Sequence, residues 1–160
     1  MNESLPWNLH LIDRYEGRWD WSKLSWNSGS PWSEELIARY AERWNWRAGR
    51  WSLSTNTSLP WSARFIERFK SRWDWESLSG NEALPWSAEL IARYEDRWNW
   101  LRLAANSAVP WRILLEKSDR WHWSSVCGNE GLPWSEGLAV TSRMILFPRG
   151  AILCGVHANC

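Results

Sequence analysis

The sequence lacks most of the features that mark a function. No run of 18 apolar residues is present, so no helix can span a bilayer and no membrane partner is expected. Charge of one sign is also missing. Nineteen Lys and Arg against 18 Asp and Glu leave a net charge of +1, whereas a dedicated nucleic-acid binder carries a strongly basic face. The N-terminus, MNESLPWNLHLIDRYEG, has no basic stretch ahead of an apolar one, and no secretory signal is read there. Cysteine is scarce. Cys127, Cys154 and Cys160 follow no repeating spacing, which argues against a disulfide framework and for reduced thiols in a cytoplasmic protein. Cys154, His157 and Cys160 could offer three zinc ligands, one short of a structural site. Phosphate-binding glycine loops, H-E-x-x-H and nucleophile elbows are all absent. His10, His122 and His157 occupy unrelated places. No catalytic residue, metal or cofactor is therefore expected, and the chain is read as non-enzymatic.

Tryptophan is what the sequence has in excess, at 18 residues. Pro-Trp recurs at Trp7, Trp32, Trp61, Trp86, Trp111 and Trp134, with spacings of 25, 29, 25, 25 and 23. Trp-x-Trp recurs at Trp19/Trp21, Trp44/Trp46, Trp73/Trp75, Trp98/Trp100 and Trp121/Trp123. The two series account for 16 of the 18. The unit reads N-x-x-L-P-W-S-x-x-L-I-x-R-Y-x-x-R-W-[DN]-W-x-x-L-S-x, a period of about 25 residues over 2–137. Copies start near Asn2, Asn27, Asn56, Asn81, Asn106 and Asn129. The long copy carries four extra residues around Arg47–Arg50, expected in a solvent-facing loop at a unit join. The tail, 138–160, abandons the repeat and reads as a C-terminal cap or a disordered segment.

Each unit reads as two helices. Ser33, Ser62, Ser87 and Ser135, with Asn8 in the first unit, are N-cap residues, and Arg112 breaks that rule. From Ser33, the residues Leu36, Ile37, Tyr40 and Trp44 line one stripe of a helix of about 11 residues. Asp20, Asn45, Asp74, Asn99 and His122 lie between the paired tryptophans, where all but His122 can cap a shorter helix, α or 3₁₀. Asn27, Asn56, Asn81, Asn106 and Asn129 then end it, on the tolerance of Asn for the left-handed conformation. Their side chains are expected to form a ladder between units. A lone unit cannot bury its indoles, whereas stacked units can. The expected fold is all-α, a solenoid of five to six helix pairs. Buried indole N–H groups need acceptors, and the repeated Ser and Asn are candidates.

The unit W-[DN]-W-x-x-L-S-x-N-x-x-L-P-W-S-x-x-L-I resembles Trp-rich tandem repeats of bacterial proteins. It is also similar to W-D-W-x-x-L-S-x-N repeats of some giant-virus proteins. The resemblance covers about residues 2–137 and carries no activity, cofactor or site residue with it.

Two sets of residues are candidates for binding. Trp26 and Trp51 fall outside both series and are expected at the surface. Arg39 and Arg43, Arg68 and Arg72, and Arg93 and Arg97 recur at i, i+4 on the longer helix. They either lay their stems on the apolar stripe and stack on Trp, or form a ladder for phosphates or an acidic partner. Glu35 and Glu89, four residues before Arg39 and Arg93, supply pairs within the helix. The expected function is a repeat scaffold for protein–protein interaction, with a partner the sequence does not name. The alternatives are a carbohydrate-binding module using exposed indoles and a structural element that self-associates through its repeat ends.

Overall fold

The computed structural model describes residues 7–47, 49–117, 120, 129 and 131. Among them the chain is helical, without strands. The first helices of successive units are α1 (Leu9–Arg14), α3 (Glu34–Arg39), α4 (Ala63–Arg68), α6 (Ala88–Arg93) and α8 (Trp111–Glu116). The second helices are α2 (Trp21–Ser25), α5 (Trp75–Ser79) and α7 (Trp100–Ala105). Four helix pairs and the first helix of a fifth are thus seen, with 3₁₀ turns standing for the second helix in unit two. The rest of the fifth unit, including Trp121, His122, Trp123 and Cys127, lies outside the described residues, as do Trp134, Ser135 and the tail with Cys154, His157 and Cys160.

The first helices start where the sequence places them. Asn8, Ser33, Ser62 and Ser87 are extended, and each side-chain oxygen accepts the N–H three residues on, at 2.9–3.2 Å. Before α8 there is no side-chain cap. These helices are six residues long, not about 11. In the first four, the reason is the first indole of each pair. Trp44 folds back and donates its indole N–H to the carbonyl of Ile37 at 3.2 Å. A continuing helix would use that carbonyl for the N–H of Ala41, which turns instead to Ala38. Trp19, Trp73 and Trp98 end their helices in the same way, on Ile12, Ile66 and Ile91.

The four extra residues do not sit at a join; they displace the second helix of unit two. In the other units Leu24, Leu78 and Leu103 bond back four residues, to Asp20, Asp74 and Asn99. Leu53 makes the same bond to Asn45 across eight residues, so two 3₁₀ turns, Gly49–Trp51 and Leu53–Thr55, replace α-helix. Gly49 turns the chain there with φ 63°, a conformation glycine adopts at no steric cost.

Two polar ladders join consecutive units. Asn56, Asn81 and Asn106 each stand just after a second helix or its 3₁₀ equivalent. Nδ2 of Asn56, Asn81, Asn106 and Asn129 donates to the carbonyl of Ser25, Ser54, Ser79 and Ala104 at the end of the preceding helix pair, at 2.8–3.1 Å. Oδ1 of the same side chains accepts the N–H two residues on. The left-handed conformation expected of these asparagines is not used: Asn56 and Asn106 are extended, at φ −77° and −82°. An extended backbone lets the amide span to the neighbouring unit while closing its own turn. In the second ladder Ser25, Ser54 and Ser79 donate to the carbonyls of Trp21, Trp46 and Trp75 at 2.7 Å. The same hydroxyls accept the N–H of Asn45, Asp74 and Asn99 in the next unit.

Beside the ladders, which share Ser25, Ser54 and Ser79, lies an apolar seam. Ile12, Ile37, Ile66, Ile91 and Leu114 hold one place in five units, each at most 1% exposed. Trp44, Trp46, Trp73 and Trp98 are buried, and the Pro-Trp indoles pack half-buried against them. Rings meet edge-on across the joins, Trp21 on Trp44, Trp46 on Trp73 and Trp75 on Trp98, at 4.8–4.9 Å. Such contacts add about 0.5–1.5 kcal/mol each beyond burial. The indole donors use backbone carbonyls, not Ser or Asn side chains. Besides the four helix-ending bonds, Trp21, Trp46, Trp75 and Trp100 donate to carbonyls five residues back. Trp32, Trp61 and Trp86 do so as well, to Asn27, Asn56 and Asn81.

Candidate functional site

The long-helix side carries the arginines, and they bind the unit before them. Arg39 pairs with Asp13 at 2.7 Å, Arg43 with Glu16 at 3.5 Å and Arg68 with Glu34 at 3.3 Å. Arg72 donates to the carbonyl of Ala41 and to Glu42, and Arg97 to the carbonyl of Lys70. Arg72 and Arg97 also lie over the Trp46 and Trp75 rings, as the stacking alternative anticipates. Arg93 sits beside Tyr94 and Glu67. Arg39 pairs across the join to Asp13 rather than within its helix to Glu35. The sequence hides this because the partners are about one full period apart. The groove between these side chains, lined by Asp13, Glu16, Arg39, Tyr40, Glu42 and Arg43, is open and shallow.

Two tyrosines extend this pattern, and sequence reasoning missed them. Tyr40 donates its hydroxyl to Asp13, and Tyr94 to Glu67. Burial, with the neighbouring carboxylate second, pushes both phenols up to about 12. In return the Tyr40 hydroxyl, then Arg39, holds Asp13 below the usual carboxylate range. Glu67 is lowered chiefly by Lys70, then Tyr94. A signal was present. Units with an acid here, Asp13 and Glu67, precede units with Tyr, and the unit with Ala38 precedes Phe69. Both tyrosines are spent on joins and offer no chemistry to a ligand.

The short-helix side differs. Trp26 and Trp51 are 44% and 45% exposed, while the patterned indoles described are buried or half-buried. The structure brings the two together. Their ring centroids are 4.8 Å apart with planes at 80°, an edge-to-face pair. Trp26 follows α2, in the place taken by Thr55, Gly80 and Ala105 in later units. Trp51 reaches it because the extra residues push the chain outward, and Asn45 Nδ2 holds its carbonyl at 3.0 Å. Arg47 fastens the loop to unit three through the carbonyls of Ser71 and Arg72. Among the described residues neither exposed indole N–H has an acceptor. Further along the same side a shallow trough of about 260 Å³ is lined by Thr55, Thr57, Ser77, Gly80, Glu82 and Arg102.

The six arginines and the two tryptophans therefore form separate surfaces. Among the described residues no group of His, Cys, Asp and Glu could hold a metal ion, and no helix is long and apolar enough to cross a membrane. No protein-family model, curated protein or solved structure matches the chain.

Proposed function

We propose that the chain is a non-enzymatic repeat scaffold for protein–protein interaction, an α-solenoid that grips its partner at Trp26 and Trp51. One observation carries the reading. Two indoles that the repeat does not require stand exposed in contact with each other, each next to a ladder residue, Trp26 beside Ser25 and Trp51 with its carbonyl bonded to Asn45. Exposed Trp is costly to solubility, and Trp is the residue most enriched where binding energy concentrates. The arginine ladder is a weaker candidate, because Arg39, Arg43, Arg68 and Arg72, four of its six members, pair with carboxylates of the chain. A cytoplasmic place and kinship with the Trp-rich tandem-repeat proteins belong to the same proposal.

The test is a double variant, Trp26→Ala/Trp51→Ala, in the full chain. It should stay folded with a modestly lower unfolding midpoint, because the lost ring contact is worth about 0.5–1.5 kcal/mol. Crosslinking of a partner should drop at least about tenfold, as expected at a binding hot spot. Capture unchanged in the folded variant rejects the reading.

A further inference from the structure

We propose that the Trp26–Trp51 notch, with the trough beside it, binds a proline-rich segment in the polyproline II conformation. This rests on the reading of the pair as a protein-binding site and names the chemistry of its partner. A polyproline II strand makes no internal hydrogen bonds, so its carbonyls are all available, and its rings project at three residues per turn. A receptor must supply walls for pyrrolidine rings and donors for those carbonyls. The notch supplies both. Its walls are two indoles set at 80° and 4.8 Å. Its donors are the indole N–H groups of Trp26 and Trp51, the two exposed members of the four that make no hydrogen bond among the described residues (Trp7 and Trp111 are the others), where eleven indoles are spent on backbone carbonyls.

The trough continues the same chemistry. Thr55 takes the place of Trp26 in the next unit, and hydroxyls of Thr57 and Ser77 line the trough with it. Gly80 leaves its floor low: a side-chain carbon there would approach nothing closer than the Ser77 carbonyl at 3.8 Å. Binding costs little ordering entropy, because polyproline II is preformed and indoles have few rotamers.

Other occupants fit less well. The carboxylates that would bind sugar hydroxyls are engaged, Glu76 by Arg102 and Glu82 by Ser107. An acidic segment would want free cations, yet Arg47 is spent on two carbonyls and Lys23 pairs with Asp20.

The experiment titrates the ¹⁵N-labelled full chain with decaproline, with a Gly-Ser peptide and chitohexaose as separate arms. Trp51→Phe and Trp26→Phe assign the two indole Nε1–H signals by their loss. Decaproline should shift both signals saturably, and the Gly-Ser peptide should not. Trp26→Ala should weaken decaproline at least about tenfold, and Trp51→Phe, which keeps a wall but removes a donor, should weaken it less. Two results overturn the proposal: decaproline leaves both signals unmoved, or chitohexaose shifts them at lower concentration. If decaproline fails while crosslinking still depends on both tryptophans, this inference falls and the protein-binding reading stands. If crosslinking ignores both, that reading falls.

Discussion

Replacing Trp73 by alanine should destabilise the protein by about 3–5 kcal/mol, the range for deleting a buried Trp. The urea midpoint should fall with little change in slope. Trp73 is 1% exposed and touches four rings, Trp46 across the join and Trp61, Phe65 and Phe69 in its own unit. Its N–H also closes the end of α4 on Ile66. Collapse around a cavity is limited, because the ladders tie the adjacent Asp74 backbone and Asn81 to Ser54 of the neighbouring unit. Against a typical total of about 5–15 kcal/mol, such a loss would leave the variant partly unfolded at moderate temperature. A cost under about 1 kcal/mol would mean that the ring is not core.

Asn81→Ala should cost about 2–4 kcal/mol, although it removes almost no apolar surface. Asn81 donates to the carbonyls of Ser54 and Asn56 and accepts the N–H of Ala83. The Asn56 carbonyl keeps the Trp61 indole, but the Ser54 carbonyl and the Ala83 N–H lose the side chain that serves them. Each stranded buried group costs roughly 1–3 kcal/mol. Asn81→Asp separates the two ends of the side chain. It keeps an acceptor for Ala83 but sets a carboxylate against the Ser54 carbonyl, so the buried acid favours its protonated form. A carboxyl raised in the folded state loses stability as pH climbs above the usual carboxylate range near 4. Chemical denaturation at pH 3 and pH 7 should therefore show the larger deficit at pH 7. Equal deficits, or none, would contradict the ladder.

The parts of this fold visible in the sequence are those that repeat locally. Capping Ser and Asn three residues before a free N–H, and Ile37 and its equivalents on one stripe, are written at helical spacing, and the structure has them. The exposure of Trp26 and Trp51 followed from their being out of register. The rest depends on contacts one period away. Nothing in the spacing distinguishes Glu35 from Asp13 as the partner of Arg39, since one fits the helix and the other the stack. Helix length was overestimated for a similar reason. Periodicity marks Trp44 as core, which it is, but cannot say that its indole takes the carbonyl a longer helix needs. The meeting of Trp26 with Trp51 could not be foreseen either, because it depends on how four extra residues fold.

Hydrogen exchange at the indole nitrogens tests the seam most directly, one signal per tryptophan. The eleven indoles bonded to backbone carbonyls should exchange slowly, with Trp44, Trp73 and Trp98 slowest. Trp26 and Trp51 should exchange as a free indole does. Eleven fast signals, indistinguishable from Trp26 and Trp51, would show that the indoles are not shut inside a packed seam.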